Sequence, residues 1–152
     1  MDNRSKMTEV RSKTKDISLY TEDILDLYKY PSNKKITEHA DITYHDENPS
    51  CGDDITIYIT LENSTTIQHI TWTGKGCAIS QASAEIISQI YKGKKIKEIQ
   101  NITPEQIKKQ LNIKDIGPVR IKCAMLAPAA IKKGVENWKI YRGGTRTREV
   151  RS

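Results

Sequence analysis

Residues 55–61, ITIYITL, alternate without interruption between aliphatic side chains and hydroxylated or aromatic ones. In an extended chain successive side chains point to opposite faces. Ile55, Ile57, Ile59 and Leu61 therefore form one apolar row, and Thr56, Tyr58 and Thr60 form the other. A helix would scatter that row around its axis, so the segment is a strand with one face buried. ENST follows as a turn, and TIQHITWT (66–73) returns as another strand. Residues 40–45, ADITYH, alternate like a shorter one. Three sequential strands with short connections make an antiparallel meander.

From Cys77 the period changes. Ile79, Ala82, Ile86, Ile87 and Ile90 make one helical stripe, with Lys92 in the last turn and Gly93 just beyond. Thr103-Pro104-Glu105-Gln106 announces another helix: an N-cap threonine, a proline at the first helical position and a capping-box glutamine, with Ile107 and Leu111 behind. A final helical region follows Gly117-Pro118 and runs to about Trp138; Pro128 inside it predicts a break near Ala127. Ahead of the strands, Leu19, Tyr20, Ile24, Leu27 and Tyr28 fall at helical spacing. Ser18 or Thr21 is the cap, Glu22 and Asp23 suit the positive end, and Pro31 is the stop. Strands first and helices after, without βαβ alternation, predict an α+β fold: a small three-stranded antiparallel sheet packed against several helices.

The length of 152 residues suits one compact domain with tails. The expected division is a flexible arm at 1–16, a folded domain at 17–138 and a basic flexible tail at 139–152. The net charge of +6 invites a nucleic-acid reading, but it is not spread over the chain. Residues 1–16 carry five basic and three acidic groups, residues 139–152 five and one, and residues 17–138 fifteen of each. The domain is neutral, with no aromatic interleaving and no RRM, KH or zinc-finger pattern, so specific nucleic-acid binding is not expected. No apolar run reaches the ~18 residues of a membrane span, and the N-terminus lacks a secretory pattern. A cytoplasmic protein that does not engage membranes is the expectation.

Three cysteines cannot pair off evenly, and each falls at the end of an element. Cys51 lies in ENPSCGDD, a turn just before a strand. Cys77 lies in TGKGCAIS, after a strand and at the start of a helix, where unpaired N–H groups and the helix dipole favour a thiolate. Cys123 lies in RIKCAML, near the start of the last helical region. Gly52, Gly74 and Gly76 let the backbone come close to a bound ion, and Cys51 and Asp53, two apart across Gly52, can aim at one metal. Zinc accepts such a mixed sulfur and oxygen set. An iron–sulfur cluster prefers thiolates, which makes the carboxylate its weak point and suits temporary holding. With 25 residues between Cys51 and Cys77 and 45 between Cys77 and Cys123, spacing alone leaves three options open: a shared metal site, separate reactive thiols, or packing cysteines.

The motifs NPSCGD, GKGCAIS and RIKCAML, with the opening ILDLYKYPSNKK, resemble the IscU/NifU/SufU family of iron–sulfur assembly proteins over roughly residues 19–138. The resemblance implies a SufE/NifU-like fold and one solvent-facing site made of Cys51, Asp53, Cys77 and Cys123. It implies a scaffold that accepts sulfur from a cysteine desulfurase and builds and transfers a labile [2Fe–2S] cluster. The alternative within the family is a zinc-dependent sulfurtransferase of the SufU type, with Zn²⁺ on the same residues. Apo iron–sulfur proteins or other SUF components would be the acceptors. Cys123, by likeness to IscU, or Cys51, by likeness to SufU, would receive the persulfide sulfur. A metal-stabilised adaptor without sulfur chemistry is the reading from a different class.

The departures from the family pattern are specific. Lys122 stands where IscU-type members have a histidine. The gap between Cys77 and Cys123 is too short for the SufU insertion. Ile116-Gly117-Pro118-Val119-Arg120 replaces the L-P-P-V-K segment that serves a dedicated Hsp70. Leu27 and Lys35 stand where a histidine and a glycine are usual. His39, His45 and His69 read as surface or sheet histidines without metal, Trp72 and Tyr58 as sheet packing, and Lys92, Lys94, Lys95 and Lys97 as a solvated helix end.

Overall fold

A computed structural model describes residues 21–113 and 116–142. The arm assigned to 1–16, the helical positions Leu19 and Tyr20, the cap option Ser18 and the tail beyond residue 142 lie outside the described residues. The order is α1 (Glu22–Lys29), β1 (Ile42–Asn48), β2 (Asp53–Glu62), β3 (Thr66–Lys75), α2 (Ala78–Ile90), a 3-10 helix (Ile96–Asn101), α3 (Pro104–Gln110) and α4 (Pro118–Arg142). The strands form an antiparallel meander in the order β1-β2-β3, and the helices cover one face, as the α+β expectation has it.

The alternation of β2 is realised in its burial: Ile55, Ile57 and Ile59 face the core and the residues between them are half-buried. Leu61, at the end of the row, is half-buried and still packs against the core. A register shift between Thr60 and Leu61 pairs Thr60 with His69 but Leu61 with Ile67, leaving Gln68 as the extra residue. The shift explains how Ile67 and Ile70, three apart, both reach the core fully buried. Trp72 pairs with Ile57 across the strands and is buried, a packing role as expected.

Thr21 caps α1, its hydroxyl accepting from the Ile24 amide at 3.3 Å. Thr103 caps α3 by accepting from Gln106 N at 3.2 Å. The reciprocal half of that capping box is not made, because Gln106 Oε1 is buried without a hydrogen-bond partner. The 3-10 helix, which buries Ile96 and Ile99, has no counterpart in the sequence reading. The helix α2 is not a single apolar stripe: Ser80, Gln81, Ser83, Glu85 and Ser88 are buried with its isoleucines. It is packed by α1, β3 and α4 together; Gln81, Ser83 and Glu85 find partners outside the helix, while Ser80 and Ser88 bond back to the carbonyls of Cys77 and Ala84.

The last helix corrects the expected break. It runs unbroken from Pro118 through Pro128 to Arg142, four residues into the stretch assigned to the tail. Proline at 128 removes the N–H that would bond the carbonyl of Ala124, four residues back. That carbonyl instead accepts a 2.6 Å hydrogen bond from Ser83 Oγ on α2, both residues being fully buried. The missing helical bond is thus supplied from a neighbouring helix, and it locks α4 to α2 one residue after Cys123.

Candidate metal centre

The three cysteine segments meet at one end of the sheet. Cys51 and Asp53 come from the turn between β1 and β2, Cys77 from the junction of β3 and α2, and Cys123 from the first turns of α4. Asn48 builds the first of these turns. Its carbonyl accepts from Cys51 N at 3.2 Å and Gly52 N at 2.9 Å, and its side-chain oxygen accepts from Ser50 N at 3.1 Å. Gly52 closes the turn at φ +76°, a left-handed conformation that glycine adopts without a steric penalty. The chain then enters β2 with Asp53 pointing inward, 4 % exposed.

The ligand atoms of Cys51, Asp53 and Cys123 lie within 4.8 Å of one another. Cys51 Sγ and Cys123 Sγ are 3.7 Å apart and share a hydrogen bond, although 72 residues separate them in sequence. Cys51 is exposed and Cys123 is buried. Cys77 stands outside the closest trio but lies near enough for its charge to act on the Cys123 thiol. It is the N-cap of α2 and half-buried, and its thiol makes no capping bond to the helix. Of the four residues singled out from the sequence, the structure brings Cys51, Asp53 and Cys123 into one tight group and leaves Cys77 beside it at the start of α2.

Burial pushes the Cys123 thiol well above the ordinary thiol range, and the charge of Cys77 pushes it in the same direction. The hydrogen bond with Cys51 and the Asp53 carboxylate add to this. Asp53 Oδ2 is buried and has no hydrogen-bond partner. A buried carboxylate oxygen without a donor is costly unless a cation or a proton answers it. The site is thus rich in electron-pair donors and short of positive charge. Three sulfurs and one carboxylate oxygen match what zinc or an iron–sulfur cluster takes, so the residues present fit such a group.

Gly76 completes the cradle. A Cβ there would lie 2.6 Å from Asp53 Cγ and 2.7 Å from Ser80 Oγ, so only glycine lets the aspartate seat itself against the β3–α2 junction. Gln81, one helical turn beyond Cys77, donates from Nε2 to the Gly76 carbonyl at 2.9 Å and accepts from Lys34 Nζ at 2.8 Å. Deeper in the same helix, Glu85 is fully buried and accepts from Ser32 N and Oγ, Asn33 N and Nδ2, Trp72 Nε1 and Gln89 Nε2. It ties the turn after α1 to α2. Gln81 was missed by the sequence reading, though its position four residues after Cys77, on the same helical face, is a signal. Lys34 and Glu85 carry no such signal.

None of the histidines belongs to a metal-ligating group among the described residues. His45 Nδ1 bonds Thr56 Oγ1 at 2.9 Å on the outer face of the sheet. His39 takes a left-handed conformation in the chain leading to β1. Lys122 is exposed beside Cys123. Among the described residues no helix is long and apolar enough to cross a membrane.

A family model, that of the NifU-like N terminal domain, matches residues 19–144. The chain is 32 % identical over 134 residues to the zinc-dependent sulfurtransferase SufU of Bacillus subtilis (strain 168), covering 78 % of this chain and 90 % of that protein. It is 29 % identical over 127 residues to the iron–sulfur cluster assembly scaffold protein IscU of Haemophilus influenzae, covering 82 % and 98 %. Among solved structures, FiSufU of the SUF system from Fervidobacterium islandicum AW-1 superposes with a TM-score of 0.68 at 26 % identity, covering 77 % of this chain and 96 % of that one.

Proposed function

This chain belongs to the NifU-like N-terminal domain family, and on that premise we propose that it is an iron–sulfur cluster assembly scaffold. It accepts sulfur from a cysteine desulfurase, and builds and passes on a labile [2Fe–2S] cluster as its cargo, held by Cys51, Asp53, Cys77 and Cys123. The observation that carries this reading is the convergence of Cys51, Asp53 and Cys123 within 4.8 Å, with a buried aspartate oxygen that no donor answers.

Exposure favours Cys51 for the first step. Cys51 is exposed and Cys123 is buried with its thiol pushed up, so Cys51 is the sulfur that a partner's persulfide can reach. Its thiolate attacks the outer sulfur of the desulfurase persulfide. The S–S bond of the donor breaks, a persulfide forms on Cys51, and the donor cysteine leaves as thiolate. Cys123, 3.7 Å from Cys51, is the alternative acceptor by likeness to IscU and stands next in line for the sulfur. Asp53 contributes a weaker donor than a thiolate, which favours release of the cargo to apo iron–sulfur proteins or other SUF components. The proposed setting is the cytoplasm, where thiols stay reduced.

The second reading keeps the same four residues and changes the cargo: a zinc-dependent sulfurtransferase that relays the sulfur onward. The mixed sulfur and oxygen donor set, which zinc accepts in tetrahedral sites, favours it. Bound zinc would keep the thiols as thiolates until a partner frees one. Anaerobic incubation with Fe²⁺, cysteine, the desulfurase and dithiothreitol, which supplies the electrons that reduce persulfide sulfur to sulfide, separates the two. A visible-absorbing cluster that moves to an apo-ferredoxin supports the scaffold; tight zinc and a stimulated desulfurase without a cluster support the relay. A Cys51→Ser/Cys123→Ser double variant that retains either activity sinks both readings.

A further inference from the structure

We propose that Lys34 and Gln81 are positioning residues of the metal-holding site, setting the peptide between Gly76 and Cys77 through a polarised hydrogen-bond chain. The inference rests on the proposed metal-holding role of the cysteines and goes beyond it by adding two residues outside the cysteine motifs.

The Gly76–Cys77 peptide lies against two of the four donors. Its glycine lies where a Cβ would strike the Asp53 carboxylate at 2.6 Å, and its other half carries Cys77. A rotation of this peptide would disturb both donors at once. Its carbonyl is held by Gln81 Nε2 at 2.9 Å, and Gln81 is nearly buried, 9 % exposed. A primary amide can present either end, so a single bond does not define its orientation. Lys34 does: its ammonium donates to Gln81 Oε1 at 2.8 Å, which leaves the NH₂ end for the glycine carbonyl. Lys34 itself lies over the Trp72 ring, 5.3 Å from the centroid, and the neighbouring Ser32 and Asn33 are anchored on buried Glu85.

Every dipole in this chain points the same way: ammonium to amide oxygen, amide N–H to carbonyl oxygen, and then the Cys77 N–H on the far side of the trans peptide. Hydrogen bonds aligned head to tail strengthen one another. The Lys34 charge therefore makes the Cys77 amide a better donor and favours negative charge at the mouth of the site. Groups that orient metal ligands from behind typically contribute ~10–100-fold in metal affinity.

The test pairs zinc affinity, by chelator competition on the reduced full chain, with ¹⁵N relaxation of the Gly76 and Cys77 amides in the zinc-free protein. Gln81→Met is expected to weaken zinc binding by ~10-fold or more and Lys34→Met by several-fold, with Lys34→Arg returning to within about twofold of the parent. The two amides should become mobile in both methionine variants while the β2 amides stay rigid. Lys34 is exposed, so its variants carry the test even where Gln81→Met fails to fold. Zinc affinities within about twofold of the parent, with the two amides as rigid as before, would overturn the proposal. If the parent binds no zinc, it is the zinc reading that fails, and the amide relaxation alone then decides: loosening at Gly76 and Cys77 upholds the tether and unchanged order refutes it.

Discussion

The unbroken passage of α4 through Pro128 yields a quantitative test. The Ala124 carbonyl, deprived of its helical donor by the proline, depends on the Ser83 hydroxyl at 2.6 Å. Both residues are fully buried, so no water can take over when the hydroxyl is removed. Ser83→Ala leaves a buried carbonyl without a donor, a loss of ~1–3 kcal/mol. At ~2–4 °C per kcal/mol for a chain of this size, a loss of about 2 kcal/mol lowers Tm by roughly 4–8 °C. Pro128→Ala restores an N–H at position 128 that can bond the same carbonyl. In that background Ser83→Ala should cost ~0.5 kcal/mol, because the carbonyl keeps a partner. The helix-propensity and unfolded-state effects of replacing the proline cancel in the cycle, leaving a coupling of ~1–2 kcal/mol. Urea unfolding of the reduced, metal-free protein, followed by circular dichroism in all four variants, measures it. Effects that add to within about 0.5 kcal/mol would show that Ser83 does not replace the missing bond, and the account of the unbroken helix would fall.

Further outcomes follow from the site and its support. Asp53→Ala removes the weakest donor and should slow cluster transfer to an apo-ferredoxin, without lowering the Tm of the metal-free protein, because Asp53 Oδ2 has no partner to lose; unchanged transfer kinetics would count against the release role. The Cys123 thiol is raised in the folded state above the ordinary value of 9.0, so it holds its proton where the unfolded chain has lost it. Its stabilising contribution is complete below pH 9 and declines as pH rises beyond that point, so metal-free stability should fall there. A Cys123→Ala variant should show a flatter profile in denaturant midpoints measured across pH 8–11, and an equally steep one would refute the assignment. Glu85→Gln turns an all-acceptor carboxylate into a group with two donors facing donors; it should cost ~2 kcal/mol or more, and a calorimetric Tm unchanged from the parent would contradict the anchoring role.

How far the sequence could be read depended on where the governing interaction lay. The alternation from Ile55 to Ile59 was legible because a strand buried on one face writes its exposure directly into the residue order. The switch of period at Cys77 was legible for the same reason, and it placed that cysteine at a helix start, where the structure has it. Leu61 keeps its place against the core but is less buried than the rest of its row, because the register shift beside it depends on how β3 pairs, and no local pattern around Leu61 records that. Pro128 was read as a break because the bond that spares the helix comes from Ser83, 41 residues away. Glu85 sat unremarked beside the apolar stripe because a buried carboxylate looks like a surface one until its donors are in view. At the site, spacing could not show that Cys51 and Cys123 touch across 72 residues. Element ends, adjacent glycines and the family resemblance pointed to the four residues, whereas the tether through Gln81 needed coordinates.

β2 opens on two consecutive aspartates, and only the first faces the sulfurs: Asp53 is buried inward, while Asp54 is in register with Lys75 at the end of the sheet. Pleat parity decides between them. A strand shifted by one residue would turn Asp53 outward and expose Ile55, Ile57 and Ile59 in the same movement. Misregistered chains therefore lose their core and their ligand set together, and the two errors cannot be separated. On the proposed ligand set, loading would then double as a fold check, with cargo accepted only by molecules whose sheet has been assembled in the correct phase.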